Sequence, residues 1–383
     1  MSPNLIKYII FFSLLFSSCH HKSGKENNPS EIRSSPDTQY AQKFKIDKKG
    51  SYSVLTIFNP WQGAMDVTNI YYLLQRGEKI PVGIDTTALI YVPVRKIICM
   101  STTYLAMISA LQEEQSVKGI SGVDLIFNEE LKERVRRGEV ADVGSDDGLN
   151  KELVIQIDPD LLMVYGVGNE ASGYLSKIKE LGYRILFNAD YLETDPLGKA
   201  EWIKVFGALY CKEREANDLF LSISNEYNRI KSLIMGKNLK RPAVLLGLPW
   251  KATWFISPGN SFMETLISDA GGDYLWKDTR SEFAMPYGIE NVYIKALKAD
   301  YWLNIGTVNR CSEITAIDKR LGDLPPFRRG NIFNNNNRLT TSGGNDYWES
   351  GSLNPQIVLK DIGAILHPGL FPGYKLFYYK KIN

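Results

Sequence analysis

Cysteine and histidine are scarce in this chain of 383 residues, with four of the first and three of the second. His20 and His21 adjoin near the N-terminus and His367 stands alone before a proline, so no zinc-type spacing of ligands exists and no metal site is expected. Past the N-terminal segment the cysteines are Cys99, Cys211 and Cys311, an odd set that excludes a disulfide scaffold. Cys99 lies in the apolar run Lys96–Met100 and reads as an inert core thiol. Charge of one sign is also lacking. The formal net charge is +2 and no basic stripe stands out, which argues against nucleic acid as a partner. The patterns G-x-S-x-G, H-E-x-x-H and the P-loop are missing, so no catalytic residue is assigned and the chain does not read as an enzyme.

What the chain does have begins at Cys19. An apolar run, Ile9–Phe16, follows Lys7 and leads through Ser17 and Ser18 to that cysteine. A charged start, an apolar middle and small residues before a cut are the layout of a secretory signal. The run is about 8 residues, whereas a bilayer span takes roughly 20. With cysteine directly after the small residues, Leu15–Cys19 is similar to a bacterial lipobox. Residues 1–18 then read as a lipoprotein signal peptide, and Cys19 as the lipidated first residue of a mature chain anchored to a membrane in the periplasm. Residues 19–44, polar and rich in Ser, Asn, Lys and Pro, read as a flexible tether.

About 340 residues remain, enough for two domains or one large α/β unit. Apolar runs bounded by Gly, Pro or Asp alternate with helical periodicity, which predicts βα units around parallel sheets. In the first block the strands are 96–100, 116–120, 161–165 and 184–187, with helices over 102–111, 128–137 and 173–181. In the second the strands are 242–248, 301–304 and 331–333, with helices over 261–270, 289–296 and 355–366. Ahead of both, 52–58, 68–74 and 89–92 suggest a small antiparallel addition. Between the blocks Ala216, Phe220, Ile223, Tyr227, Ile230 and Ile234 recur at spacings of 4, 3, 4, 3 and 4. That is one apolar stripe on a helix roughly 35 Å long, ended by Gly236 and Pro242. The expected fold is α/β: two Rossmann-like lobes joined by one long rigid α-helix, with a small N-terminal β addition. The boundaries are 45–210 for the N-terminal lobe with its addition, 211–236 for the bridge and 237–383 for the C-terminal lobe.

Two stretches, supported by a closing segment, carry a family resemblance. Asn150–Ile155 followed by Asp158-Pro159-Asp160-Leu161 resembles the first-lobe pattern of the substrate-binding lipoproteins of ABC importers for vitamin B12, ferric siderophores and haem. Gly288–Val292 followed by Ala299–Trp302 is similar to the second-lobe counterpart, and Asn345–Gly351 with Pro355–Pro368 resembles the closing segment seen in Bacteroidetes-like members. The resemblance implies that Glu152 and Glu290, one on each lobe tip, dock onto arginines of an ABC permease dimer in the inner membrane. It implies a large metal chelate as ligand: a ferric siderophore, a cobalamin-like corrinoid or haem, with no covalent cofactor. A ligand-sensing or enzymatic periplasmic lipoprotein on the same scaffold is the alternative.

In open α/β sheets ligands sit beyond the carboxyl ends of the strands. That rule selects the loops 101–104, 145–147 and 165–169 of the first lobe. From the second it selects 249–262, 281–287, 304–307 and 340–348. Their aromatic residues, Tyr104, Tyr165, Trp250, Trp254, Phe283, Tyr287, Tyr347 and Trp348, are the candidate ligand contacts, joined by Trp61 if the N-terminal addition folds over the cleft. Trp202, Trp276 and Trp302 fall in helix or strand patterns and read as core. A bare zinc or manganese ion would need imidazoles that these loops lack. A haem would want an axial ligand, for which Tyr104, Tyr165 and Met285 qualify. Pro258–Ser261 looks like a helix N-terminus able to cap an anionic group.

Overall fold

Short apolar runs alternating with amphipathic helices fold into two parallel sheets, each covered by helices. The computed structural model describes residues 38–145, 148–166, 178 and 182–383. Cys19 with its signal, and the helix expected over 173–181 apart from residue 178, lie outside the described residues.

Four strands come first: β1 (Phe44–Lys49), β2 (Tyr52–Phe58), β3 (Thr68–Gln75) and β4 (Leu89–Val92). They form one sheet in that order. The first three are antiparallel, but β3 and β4 run parallel, with Tyr72 opposite Leu89. The expected antiparallel addition is therefore corrected to a mixed sheet. Its first strand falls where alternation is blurred by three lysines, so residue pattern alone passed over it. The tether boundary at residue 44 is corrected too. The buried carboxylate of Glu201 accepts the backbone N–H groups of Gln39, Tyr40 and Ala41, at 2.8 to 3.1 Å. That of Glu193 accepts those of Gln42 and Lys43. Residues 39–43 are thus pinned to the first lobe by two acids that sequence distance hid.

The first lobe holds β5 (Ile97–Cys99), β6 (Val117–Ile120), β7 (Ala141–Asp142), β8 (Leu161–Val164) and β9 (Ile185–Phe187). All are parallel, in the order β7-β6-β5-β8-β9. This is the doubly wound order in which the first strand lies at the centre. Its helices are α1 (Leu105–Ala110), α2 (Glu129–Arg136), α3 (Lys151–Ile157), α4 (Pro196–Glu201) and α5 (Ile203–Tyr210). Ile97, Ile98 and Cys99 have no exposed surface, as a parallel strand covered on both faces requires. Burial also pushes the Cys99 thiol far up, consistent with an inert core group.

Helix α6 (Glu213–Met235) follows, with the whole expected stripe buried. Each of its large apolar side chains contributes roughly 1.5–3 kcal/mol on burial. One end of the helix packs on the first lobe, where Gly207 of α5 lies so close to Ala216 that a Cβ there would clash. The other end packs on the second lobe, where the Tyr227 hydroxyl donates to Asp269 at 2.8 Å.

The second lobe holds β10 (Ala243–Leu246), β11 (Thr253–Ile256), β12 (Asp273–Tyr274), β13 (Met285–Gly288), β14 (Tyr301–Leu303), β15 (Ile332–Asn334) and β16 (Lys380–Lys381). Its main sheet runs β12-β10-β14-β15-β16, parallel except for the last pair, while β11 and β13 form a separate antiparallel ribbon. The helices are α7 (Phe262–Asp269), α8 (Ile289–Ala296), α9 (Cys311–Ile317), α10 (Pro325–Arg328), α11 (Asp346–Ser350) and α12 (Pro355–Leu366). The two motif aspartates play matching parts. Asp160 accepts the N–H groups of Arg95 and Lys96 at the start of β5, and Asp300 accepts that of Ala243 at the start of β10. Each pins the first strand of its sheet.

Candidate functional site

A cavity of about 430 Å³ lies between the lobes, lined by residues of both, within the usual size range of ligand pockets. Three elements line it. The first lobe supplies Tyr191 to Thr194, just after β9. The second lobe supplies 257–258 and 260–263, at the start of α7, and 281–284 before β13. The turn between β2 and β3 supplies Asn59 and Trp61 to Ala64, with Lys43 beside them.

That turn is fastened into place. The carbonyl of Gly166, beyond β8, accepts the N–H of Gln62 at 3.2 Å and the hydroxyl of Tyr191. The Trp61 ring leans on Phe187 with centroids 5.4 Å apart. A Cβ on Gly166 would overlap the Cβ of Trp61, so only glycine lets the turn approach. Gly166→Ala is therefore expected to lift Trp61 away from Phe187 while the lobes stay folded. Acrylamide quenching of tryptophan emission should rise in Gly166→Ala and not in Gly166→Ala combined with Trp61→Phe. Equal quenching of Gly166→Ala and the parent protein would show that the turn is not held here.

Of the expected contacts, Trp61 and Phe283 line the cavity. Trp250 and Trp348 are 65% and 59% exposed, outside the lining, and the ammonium of Lys251 sits 4.5 Å above the Trp250 ring. Tyr165 is half-buried at the end of β8. Tyr287 is half-buried in β13 and packs beside Trp276. Three expectations are corrected. Trp254 has no exposed surface, because it stacks on Trp302 and its indole N–H donates to the Leu246 carbonyl. Tyr104 is buried at the head of α1, so its hydroxyl is closed off as an axial ligand. Tyr347 is buried among Trp348, Tyr378 and Tyr379, with its hydroxyl on the sulfur of Met263. Trp202, Trp276 and Trp302 are core, as expected. Met285 sits half-buried in β13. Asp146, Asp147, Gly168 and Asn169, in two of the expected loops, lie outside the described residues.

Residue pattern missed Tyr191, Leu192 and Thr194. The signal was there, because they follow an apolar strand run, and the rule that picked the loop after β8 applies equally after β9. Tyr191 is poised against ionisation, its phenol pushed up to about 12 by burial.

The lobes also meet on a second front. The Glu349 carboxylate of α11 accepts the N–H groups of Phe127 at 2.6 Å and Asn128 at 2.9 Å, and Asn128 caps α2. Gly344 lies against the Leu125 carbonyl, where a Cβ would approach to 2.5 Å. Glu152 and Glu290 stand apart from the cavity lining, exposed in the first turns of α3 and α8.

Comparison with known proteins agrees with this architecture. Residues 97–304 match the family described as periplasmic binding protein. An uncharacterized lipoprotein of Methanocaldococcus jannaschii is 28% identical over 348 residues, which cover 85% of this chain and 81% of that protein. Among solved structures, a periplasmic heme binding protein from Pseudomonas aeruginosa superposes with a TM-score of 0.57 at 17% identity, covering 76% of this chain and 98% of that one. An ABC-type Fe3+-hydroxamate transport protein from Saccharomonospora viridis gives 0.53 at 15% identity, covering 72% and 94%. At these identities the superpositions show the fold.

Proposed function

Because the chain belongs to the periplasmic binding protein family, whose members bind substrates and are not enzymes, we propose that it is the substrate-binding lipoprotein of an ABC importer. It captures a large metal chelate (a ferric siderophore, a corrinoid or haem) between its lobes and hands it to a permease dimer in the inner membrane. The observation that carries this reading is the cavity built jointly by both lobes and roofed by the Trp61 turn. Trp61 and Phe283 supply flat apolar faces there, while backbone and amide groups around Gln62 and Asn260 supply polar ones. Lipidation of Cys19 keeps the carrier at a membrane in the periplasm. The lipoprotein name of the archaeal relative and the signal-like segment support that part.

The manner of delivery follows from α6. A single helix packed on both lobes bends only by breaking backbone hydrogen bonds, and sharp kinks need a cause such as proline or paired glycine. No proline or glycine occurs between Glu213 and Met235. The second front at Glu349 holds the lobes further. Recognition therefore uses a largely preformed cleft, which lowers the ordering cost of binding. Docking falls to the exposed Glu152 and Glu290, one per lobe. The mature protein is expected to retain a chelate through gel filtration, with no resolvable fall in its radius of gyration by small-angle scattering. Retention of no chelate would overturn the carrier reading, and a clear compaction would overturn the rigid bridge.

A further inference from the structure

The charge of the cavity wall narrows the ligand, on the premise that this cleft carries a chelate. Among the described lining residues Lys43 is the lone cation, and Glu282 is an exposed carboxylate in the same lining, while the carboxylate of Glu193 is buried and taken up by the N–H groups of Gln42 and Lys43 and the Trp202 indole. No arginine is among the lining residues. Arg280, next in the chain to the lining residue Ser281, is not in the lining, and one nitrogen of its guanidinium donates to the carbonyls of Lys277 and Thr279. Lys199 lies beneath the wall with its ammonium 4.7 Å over the Phe262 ring, and the nearby charges of Asp190 and Glu193 balance it. The N-terminus of α7 faces the cavity, but Glu264 in its first turn already places a carboxylate at that positive end. Among the described residues an anion entering here would meet one ammonium group matched by an exposed carboxylate, and no bidentate donor.

Recognition of a multiply charged anion needs the reverse. Arginine forks or several ammonium groups must replace the water that the anion gives up. A neutral chelate asks only for apolar faces and single hydrogen bonds, which Trp61, Phe283, Met263, the Gln62 amide and Asn260 can give. We infer that the cleft takes an iron or cobalt chelate of no net charge, such as a ferric tris-hydroxamate or a corrinoid. Chelates that carry two or three negative charges, haem with its two propionates and ferric tris-catecholates among them, are poor ligands. The earlier expectation that Ser261 and its neighbours cap an anionic group on the ligand then gives way to a carbonyl or amide oxygen at that position.

The test titrates the mature full-length protein, followed by tryptophan quenching and calorimetry, with four probes: ferrichrome, cyanocobalamin, ferric enterobactin and haemin. One of the two uncharged probes is expected to bind at least about 100-fold more tightly than either anionic one, and its affinity should stay flat between about 0.05 and about 0.5 M salt. If haemin or ferric enterobactin binds as tightly as the better neutral probe, or more so, the charge inference falls and the carrier reading stands. If the favoured neutral probe loses affinity steeply with salt, the inference falls as well. If no probe of either kind binds, the carrier reading itself fails and takes this inference with it.

Discussion

Reversing both rim carboxylates together, Glu152→Lys with Glu290→Lys, is expected to cut chelate uptake by about 100-fold or more, while the purified protein binds its chelate as before. The size follows from geometry. On the proposed docking, each reversal would replace an attraction to a permease arginine with a repulsion, and like charges across an interface cost several kcal/mol. Both residues are exposed and lie outside the cavity lining, so the cleft has no reason to change. Glu290 has an internal partner, Arg320, at 3.3 Å, but Arg320 is held more closely by Asp318 at 2.6 Å. The Glu290 side chain stays 70% exposed and can exchange that neighbour for another cation. Uptake into vesicles bearing the permease, read beside calorimetric affinity, separates the outcomes. Lost affinity in the double variant would place these residues in the cleft. Unchanged uptake would leave them as helix-start acids favoured by the backbone dipole.

The second large effect is expected at Glu349, and it depends on pH. Burial pushes this carboxyl up from 4.5 to about 7, against the pull of two backbone N–H groups. The neighbouring charge of Asp346 pushes it the same way, and that of Lys132 opposes. A carboxyl whose folded value is raised takes up its proton more readily in the folded state. Its contribution to stability is thus fully present below about 4.5 and is lost as pH rises through about 7. A shift of that size amounts to about 3 kcal/mol. Glu349→Ala leaves Phe127 and Asn128 without their acceptor and opens a void, so it should cost a few kcal/mol near pH 4.5 and much less near pH 8. Urea unfolding of parent and variant across that range reads the difference, in which the other carboxyls cancel. A cost that does not vary with pH would show that Glu349 ionises as an ordinary surface acid and that the second front between the lobes does not depend on its proton.

Much of the architecture was legible because it rests on local periodicity. The stripe Ala216 to Ile234 names its own helix, since every member lies on one face whatever packs against it. Runs such as Ile97–Cys99 announce buried parallel strands by being apolar throughout. Helices 289–296 and 355–366 came out at their observed ends, because Gly288 and Pro355 are start signals that work within one turn. Site residues were legible only by rule, and the rule selects loops rather than side chains. Trp254 and Phe283 both stand in selected loops. One is sealed against Trp302 and the other faces the cavity, and nothing within a few residues of either separates them.

Sequence by itself determined the α/β alternation, the bridging helix, the two exposed glutamates at helix starts and the scarcity of metal ligands, because each depends on residues within a turn or two of one another. Tertiary structure alone decided the rest. It brought Glu201 and Glu193 to the backbone of residues 39–43 across 150 to 162 positions. It set the Trp61 turn on Gly166 and brought Glu349 of one lobe to Phe127 of the other. These contacts join groups with no shared periodicity, and a carboxylate that caps a distant N–H looks, in sequence, like any exposed acid. Only the packing of the lobes removes the water that would otherwise satisfy it, and that desolvation both fixes the contact and shifts the proton of Glu349.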